Sequence, residues 1–81
     1  MSVVTVRYWA GARAAAGCAE EEVEATTVGD LLARVAAQRD ISRVVAVCSL
    51  LVDGVNVRRE ESDRVLPAGS VVDLLPPFAG G

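Results

Sequence analysis

The stretch Leu74-Leu75-Pro76-Pro77-Phe78-Ala79-Gly80-Gly81 holds the group with the clearest chemical potential, and that group is main-chain: the α-carboxylate of Gly81. Pro76 and Pro77 stiffen the exit from the preceding apolar run, and Phe78 can anchor it by packing. Ala79, Gly80 and Gly81 carry almost no side chain, a profile thin enough to enter a narrow channel. From Phe78 to the end the reach is at most about 3.5 Å per residue, roughly 14 Å in all. Such a tail could thread a partner's active site while the body stays outside. At an average glycine usage of about 7%, two terminal glycines arise by chance in roughly one chain in 200. The plainer alternative is an inert chain end behind a strand terminator. Spacing and composition leave it open.

An α-carboxylate has a pKa of about 3.3–3.7, so at neutral pH it is ionised and a poor electrophile. It must be activated, for example as an acyl-adenylate, before a sulfur nucleophile can attack it. The chain has no GxxxxGK[ST] phosphate loop and no histidine to serve as a general base. Ser49, Cys18 and Cys48 therefore have no evident base partner, which argues against an autonomous enzyme. The expectation is a chain with no catalytic site of its own and no bound cofactor, acted on by partners. Two cysteines without a CxxC pair cannot furnish a metal site. They are expected to be small apolar fillers, with a disulfide disfavoured in a reducing cytoplasm.

The tail must be launched by a folded body, and the pattern of that body is readable. Residues 3–9 alternate, with Val4, Val6 and Tyr8 on one side and Thr5 and Arg7 on the other, which predicts a strand. Alanine-rich residues 10–16 before Gly17 predict a short helix with a glycine stop. Residues 22–25 predict a second strand, solvated by its glutamates. Thr27 is placed to cap the main helix, with Asp30 returning the bond in a variant capping box. Val28, Leu31, Leu32, Val35 and Ala36 then form one apolar stripe over about ten to twelve residues, with Arg34 and Gln38 pointing away. Residues 41–48 suit either state, with a short helix capped by Ser42 expected.

Asp53-Gly54 between residues 50–52 and 55–57 is a strong hairpin signal. Residues 58–64 read as a polar connection and 67–70 as a turn. Residues 71–75 read as a last, largely buried strand, ended by Pro76 and Pro77. The order predicts an α+β, β-grasp (ubiquitin-like) fold. Its mixed sheet has about five strands, one main crossing helix and short helical inserts, with the first and last strands parallel neighbours. Residues 1–77 are expected to form that domain and residues 78–81 a flexible Gly-Gly tail.

Composition narrows the setting. At 81 residues and 52% hydrophobic content the chain is one domain with an economical apolar core, not a disordered segment. No apolar run approaches the roughly 18–20 residues of a membrane span, and the start does not look like a signal peptide. A cytoplasmic protein, off the membrane, is the expectation. Net charge is −3 and the eight basic residues, all arginine, are scattered. A nucleic-acid partner would want a concentrated basic face, so none is expected. An acidic domain better suits a basic protein partner.

Two segments carry a family resemblance. Val6-Arg7-Tyr8-Trp9-Ala10-Gly11-Ala12-Arg13-Ala14-Ala15-Ala16-Gly17 is similar to a strand-to-helix pattern of aromatic, Ala, two variable residues, Arg, three variable residues and Gly. Leu75-Pro76-Pro77-Phe78-Ala79-Gly80-Gly81 is similar to a Pro-Pro-x-x-Gly-Gly ending. Together they resemble the MoaD/ThiS family of ubiquitin-like sulfur carriers, most closely its molybdopterin synthase branch. Trp9 stands where phenylalanine is more usual, and Ala14 where glutamate is common.

The resemblance implies that a ubiquitin-activating-enzyme-like (MoeB-like) adenylyltransferase uses ATP and magnesium to adenylate Gly81. A persulfide donor then leaves a thiocarboxylate. The large subunit of molybdopterin synthase (MoaE-like) receives the tail for molybdenum cofactor biosynthesis. Gly81 would carry the sulfur, Gly80 and Ala79 would keep the tail thin inside the partner's channel, and Phe78, Pro77 and Pro76 would face the partner. Thiamine or cysteine biosynthesis is the alternative acceptor, and a non-catalytic β-grasp interaction module the alternative of another class. Without lysine, the chain has no ε-amine for building a polymer of itself.

Overall fold

The alternation at the start of the chain builds the first strand, β1 (Ser2–Tyr8), with Val4, Val6 and Tyr8 buried on one side. The computed structural model describes residues 2–77. Trp9 leaves the strand and becomes the N-cap of helix α1 (Ala10–Ala16), so the strand stops one residue earlier than the alternation suggests. The corner is sharp: Ala10 has φ 47°, a left-handed value that costs a side-chain-bearing residue about 1–2 kcal/mol. Gly17, at φ 80°, closes α1 with its N–H donating to the Arg13 carbonyl, as its position after the alanines predicts.

Strand β2 (Glu20–Ala25) leads to the main helix α2 (Val28–Arg39). The Thr27 hydroxyl accepts from the Asp30 N–H at 3.1 Å. Asp30 returns a bond to the Thr26 N–H, one residue before the expected one, and also takes Arg34 at 2.9 Å. Val28, Leu31 and Val35 are fully buried, with Leu32 packed at the margin of the core. Helix α3 (Ser42–Val47) follows, but its N-cap is Ile41, and Ser42 makes no capping bond. Strands β3 (Ser49–Val52) and β4 (Val55–Val57) form the predicted hairpin, whose tip residues Asp53 and Gly54 both have positive φ (49° and 84°), the signature of a type I′ turn. The connection after it contains a 3₁₀ turn at Arg59–Glu61. Arg59 reaches back from it to the carbonyls of Val45 and Cys48, supplying acceptors at the end of α3 with a donor.

The last strand, β5 (Val71–Leu75), enters the middle of the sheet, whose order is β2-β1-β5-β3-β4. It pairs parallel with β1 (Val6 opposite Val72) and antiparallel with β3 (Leu50 opposite Leu74). This is the predicted β-grasp arrangement. Residues from all three helices join one core with Val4, Val6, Tyr8, Leu50, Val72 and Leu74. The opposite face of the three middle strands carries Thr5, Arg7, Val71, Asp73, Leu75 and Leu51, by strand alternation and register.

Candidate functional site

The sheet delivers the chain end from its central strand. β5 stops at Leu75, where Pro76 and Pro77 cannot donate to a ladder. Pro76 is half-buried and Pro77 exposed. Phe78, Ala79, Gly80 and Gly81, the rest of the sequence-predicted site, lie outside the described residues. Leu51, Val71 and Leu75 on the open face are half-buried, so the root of the tail sits beside an apolar floor.

One polar group interrupts that floor, and pattern reading passed over it. Asp73 is 5% exposed, in the middle of β5. A carboxylate so enclosed needs strong partners, and the first strand supplies them. Arg7, its register partner on β1, donates from Nε to Oδ1 at 2.7 Å and from a terminal nitrogen to Oδ2 at 3.0 Å. This is the two-pronged geometry that guanidinium and carboxylate favour. The Trp9 indole Nε1–H donates to Oδ1 at 2.8 Å, and the Trp9 backbone N–H donates to the Leu74 carbonyl. The Arg7 guanidinium carbon lies 5.7 Å from the centroid of the Trp9 ring, within cation–π range. The Arg7 guanidinium holds the Asp73 carboxyl below its usual range, and the indole adds to the effect, against the opposing pull of burial. Arg7 is raised in return by the same bond. A lone acid inside an apolar terminal strand, with an arginine outward on the strand expected to lie beside it, was the signal available in the sequence.

The cysteines behave as fillers. Both are free; Cys48 is buried and Cys18 packs against the core. Burial pushes the Cys48 thiol up, outweighing the opposing pull of Arg59, so Cys48 is not poised as a nucleophile. Tyr8, buried in the first strand, hydrogen-bonds the Glu21 carboxylate on β2.

A five-stranded mixed sheet grasping one long helix, with the last strand at its centre, defines a β-grasp, ubiquitin-like domain. The ThiS family model matches residues 6–81, and the chain belongs to that family. Among solved structures it is similar to a Pyrococcus furiosus protein described as a molybdopterin converting factor, subunit 1. The two are 28% identical over 96% of this chain and 100% of that one, with a TM-score of 0.84. Small archaeal modifier protein 1 of Methanosarcina acetivorans is 25% identical, covering 100% of this chain and 98% of its own, with a TM-score of 0.85. Helicobacter pylori molybdopterin-converting factor, solved as a complex of subunits 1 and 2, shares the fold at 22% identity and a TM-score of 0.76. That match covers 98% of this chain and 99% of the other. No curated protein matches the chain.

Proposed function

We propose that this chain carries sulfur on its own C-terminus, as a thiocarboxylate of Gly81, and donates it within a molybdopterin synthase. The observation that carries the reading is the family match, which runs through residue 81 and so includes the Pro-Pro-Phe-Ala-Gly-Gly ending. The departure of that ending from the central strand supports it, because a fixed body can then hold a thin tail toward a partner.

The Gly81 carboxylate attacks the α-phosphorus of ATP, held with magnesium by a MoeB-like adenylyltransferase; pyrophosphate leaves and an acyl-adenylate forms. The terminal sulfur of a persulfide donor attacks the acyl carbon and AMP departs. A thiol then reduces the resulting acyl disulfide, leaving the thiocarboxylate. In the synthase, sulfur passes to the pterin precursor and water cleaves the remaining acyl bond, returning the carboxylate. Every catalytic group belongs to a partner, so the chain acts as a donor subunit and binds no cofactor itself. Gly80 and Ala79 keep the tail narrow in the partner's channel, while Phe78, Pro77 and Pro76 meet its rim.

Similarity to the Pyrococcus furiosus protein supports molybdopterin as the destination over thiamine or cysteine biosynthesis. The two-subunit Helicobacter pylori complex makes a large synthase subunit the first partner to try. No helix among the described residues is long and apolar enough to cross a membrane. A cycle that consumes ATP fits a cytoplasmic setting.

Intact-protein mass spectrometry tests the reading. After incubation with the cognate adenylyltransferase, ATP, magnesium and a persulfide donor, the chain should gain the mass of one oxygen-to-sulfur exchange. A chain lacking Gly81, or extended by one residue beyond it, should gain nothing. Sulfur loading that survives loss of Gly81 would sink the assignment. So would a wild-type chain that never loads.

A further inference from the structure

Asp53 stands exposed at the tip of the β3–β4 hairpin with φ at 49°, and Gly54 follows it at φ 84°. Its bonds reach beyond the turn. The β3–β5 register ends with Val52 opposite Val72, so the next rung falls on Asp53 and Val71. The Asp53 N–H donates to the Val71 carbonyl at 2.8 Å, as a strand residue would. The return bond differs: the Val71 N–H donates at 2.9 Å to Oδ1 of the Asp53 side chain. The backbone has already turned away into the hairpin, and the carboxylate stands in for the carbonyl that the ladder needs. That same side chain is reactive toward its own backbone. Asp53 is the one aspartate in the sequence followed by glycine. Gly54 carries no side chain, and no other atom lies within 4 Å of where a Cβ would stand, so its nitrogen is unhindered.

We infer that Asp53 is a latent isomerisation site, held unreacted by its own bond to Val71. Ring closure requires the carboxyl carbon to swing back onto the Gly54 nitrogen, and that motion breaks the Oδ1 bond. A turn fixed by two left-handed residues resists the same motion. The chemistry needs only water. A Cγ–N bond forms, the Gly54 nitrogen gives up its proton, and one carboxyl oxygen leaves as water with a second proton from solvent. Water then opens the succinimide. Cleavage between nitrogen and Cγ restores aspartate; cleavage between nitrogen and the main-chain carbonyl carbon leaves isoaspartate, with no net change of mass. The main chain is then a methylene longer and the carboxylate arm a methylene shorter, so Val71 loses its acceptor. A momentary opening of one rung becomes a lasting covalent mark at the entry to β5, and a substrate for an isoaspartate-directed methyltransferase.

The test stores the full chain in warm neutral buffer and follows isoaspartate over time. Methyl transfer from S-adenosylmethionine by a protein isoaspartate methyltransferase counts it, and fragmentation mass spectrometry places it. Folded wild type should form isoaspartate at Asp53 at least about tenfold more slowly than the same chain unfolded in urea. Val71→Pro removes the N–H at the first residue of β5, a position where a strand tolerates proline. It should bring the rate within about threefold of the unfolded chain while circular dichroism stays native. If that variant does not fold, wild type in urea below its unfolding transition decides. There isoaspartate formation and hydrogen exchange of the Val71 amide should rise in parallel, because both need the rung open. A folded wild type that isomerises as fast as the unfolded chain overturns the inference. So does a folded Val71→Pro chain no faster than wild type, or isoaspartate formation that ignores Val71 exchange.

Discussion

Asp73 ties the outer surface of the sheet to the acid sensitivity of the fold. Its carboxyl is held below the ordinary value, first by Arg7 and then by Trp9. A depressed folded-state pKa means the ion pair stabilises the fold above the unfolded value, about 3.9. That stability is lost as pH falls through the lower folded-state value. Wild type should therefore melt higher than Asp73→Asn by a constant margin down to about pH 5, and the margin should shrink below about pH 4. Melting curves collected from pH 7 to pH 2 check this, and a margin that persists unchanged to the acid end would contradict it. Asp30, also depressed by Thr26 and Arg34, titrates in both proteins and cancels in the comparison. The end of the last strand at Pro76 and Pro77 was legible from residue types alone, because proline has a local meaning. Asp73 was not. Its partners are far away in sequence, and only the register of β1 against β5 brings Arg7 opposite it.

At the scale of elements, helix α2 shows how far periodicity reaches. Its apolar stripe predicts which residues face the sheet, and Leu31 is fully buried at the centre of that face. Leu31→Ala should cost about 2–5 kcal/mol in urea unfolding, and Leu31→Asp should leave no folded domain, since it buries an unpaired charge. Retained stability in the aspartate variant would mean the helix is turned otherwise. Details at the ends of elements were less accessible. Ser42 looks like a cap by type, but Ile41 occupies the N-cap and the closure of α3 comes from Arg59, in a segment that pattern alone reads as a plain polar connection. Long-range side-chain capping leaves no periodic trace. Arg59→Ala should lower stability by about 1–3 kcal/mol by stripping a donor from carbonyls at the α3 end; hydrogen exchange should quicken in α3 first. Uniform quickening across the sheet would point to a general loss instead.

For the whole molecule, the parallel pairing of first and last strands follows from element order, because a hairpin, a crossing helix and a second hairpin leave the closing strand only the central slot. The residues of the buried core run from Val4 to Leu74. A chain ending at Pro77 should therefore keep its melting temperature within about 2 °C of the full chain, a shift worth well under 1 kcal/mol, while losing all sulfur loading. A large drop would show that the last four residues brace the body. Because the C-terminus issues from β5, any tug on it by a partner is borne along the axis of a strand bonded on both flanks. The ladders must slide together rather than peel one rung at a time. A partner can haul on this tether, or strip itself from it, without unravelling the domain to which it is tied.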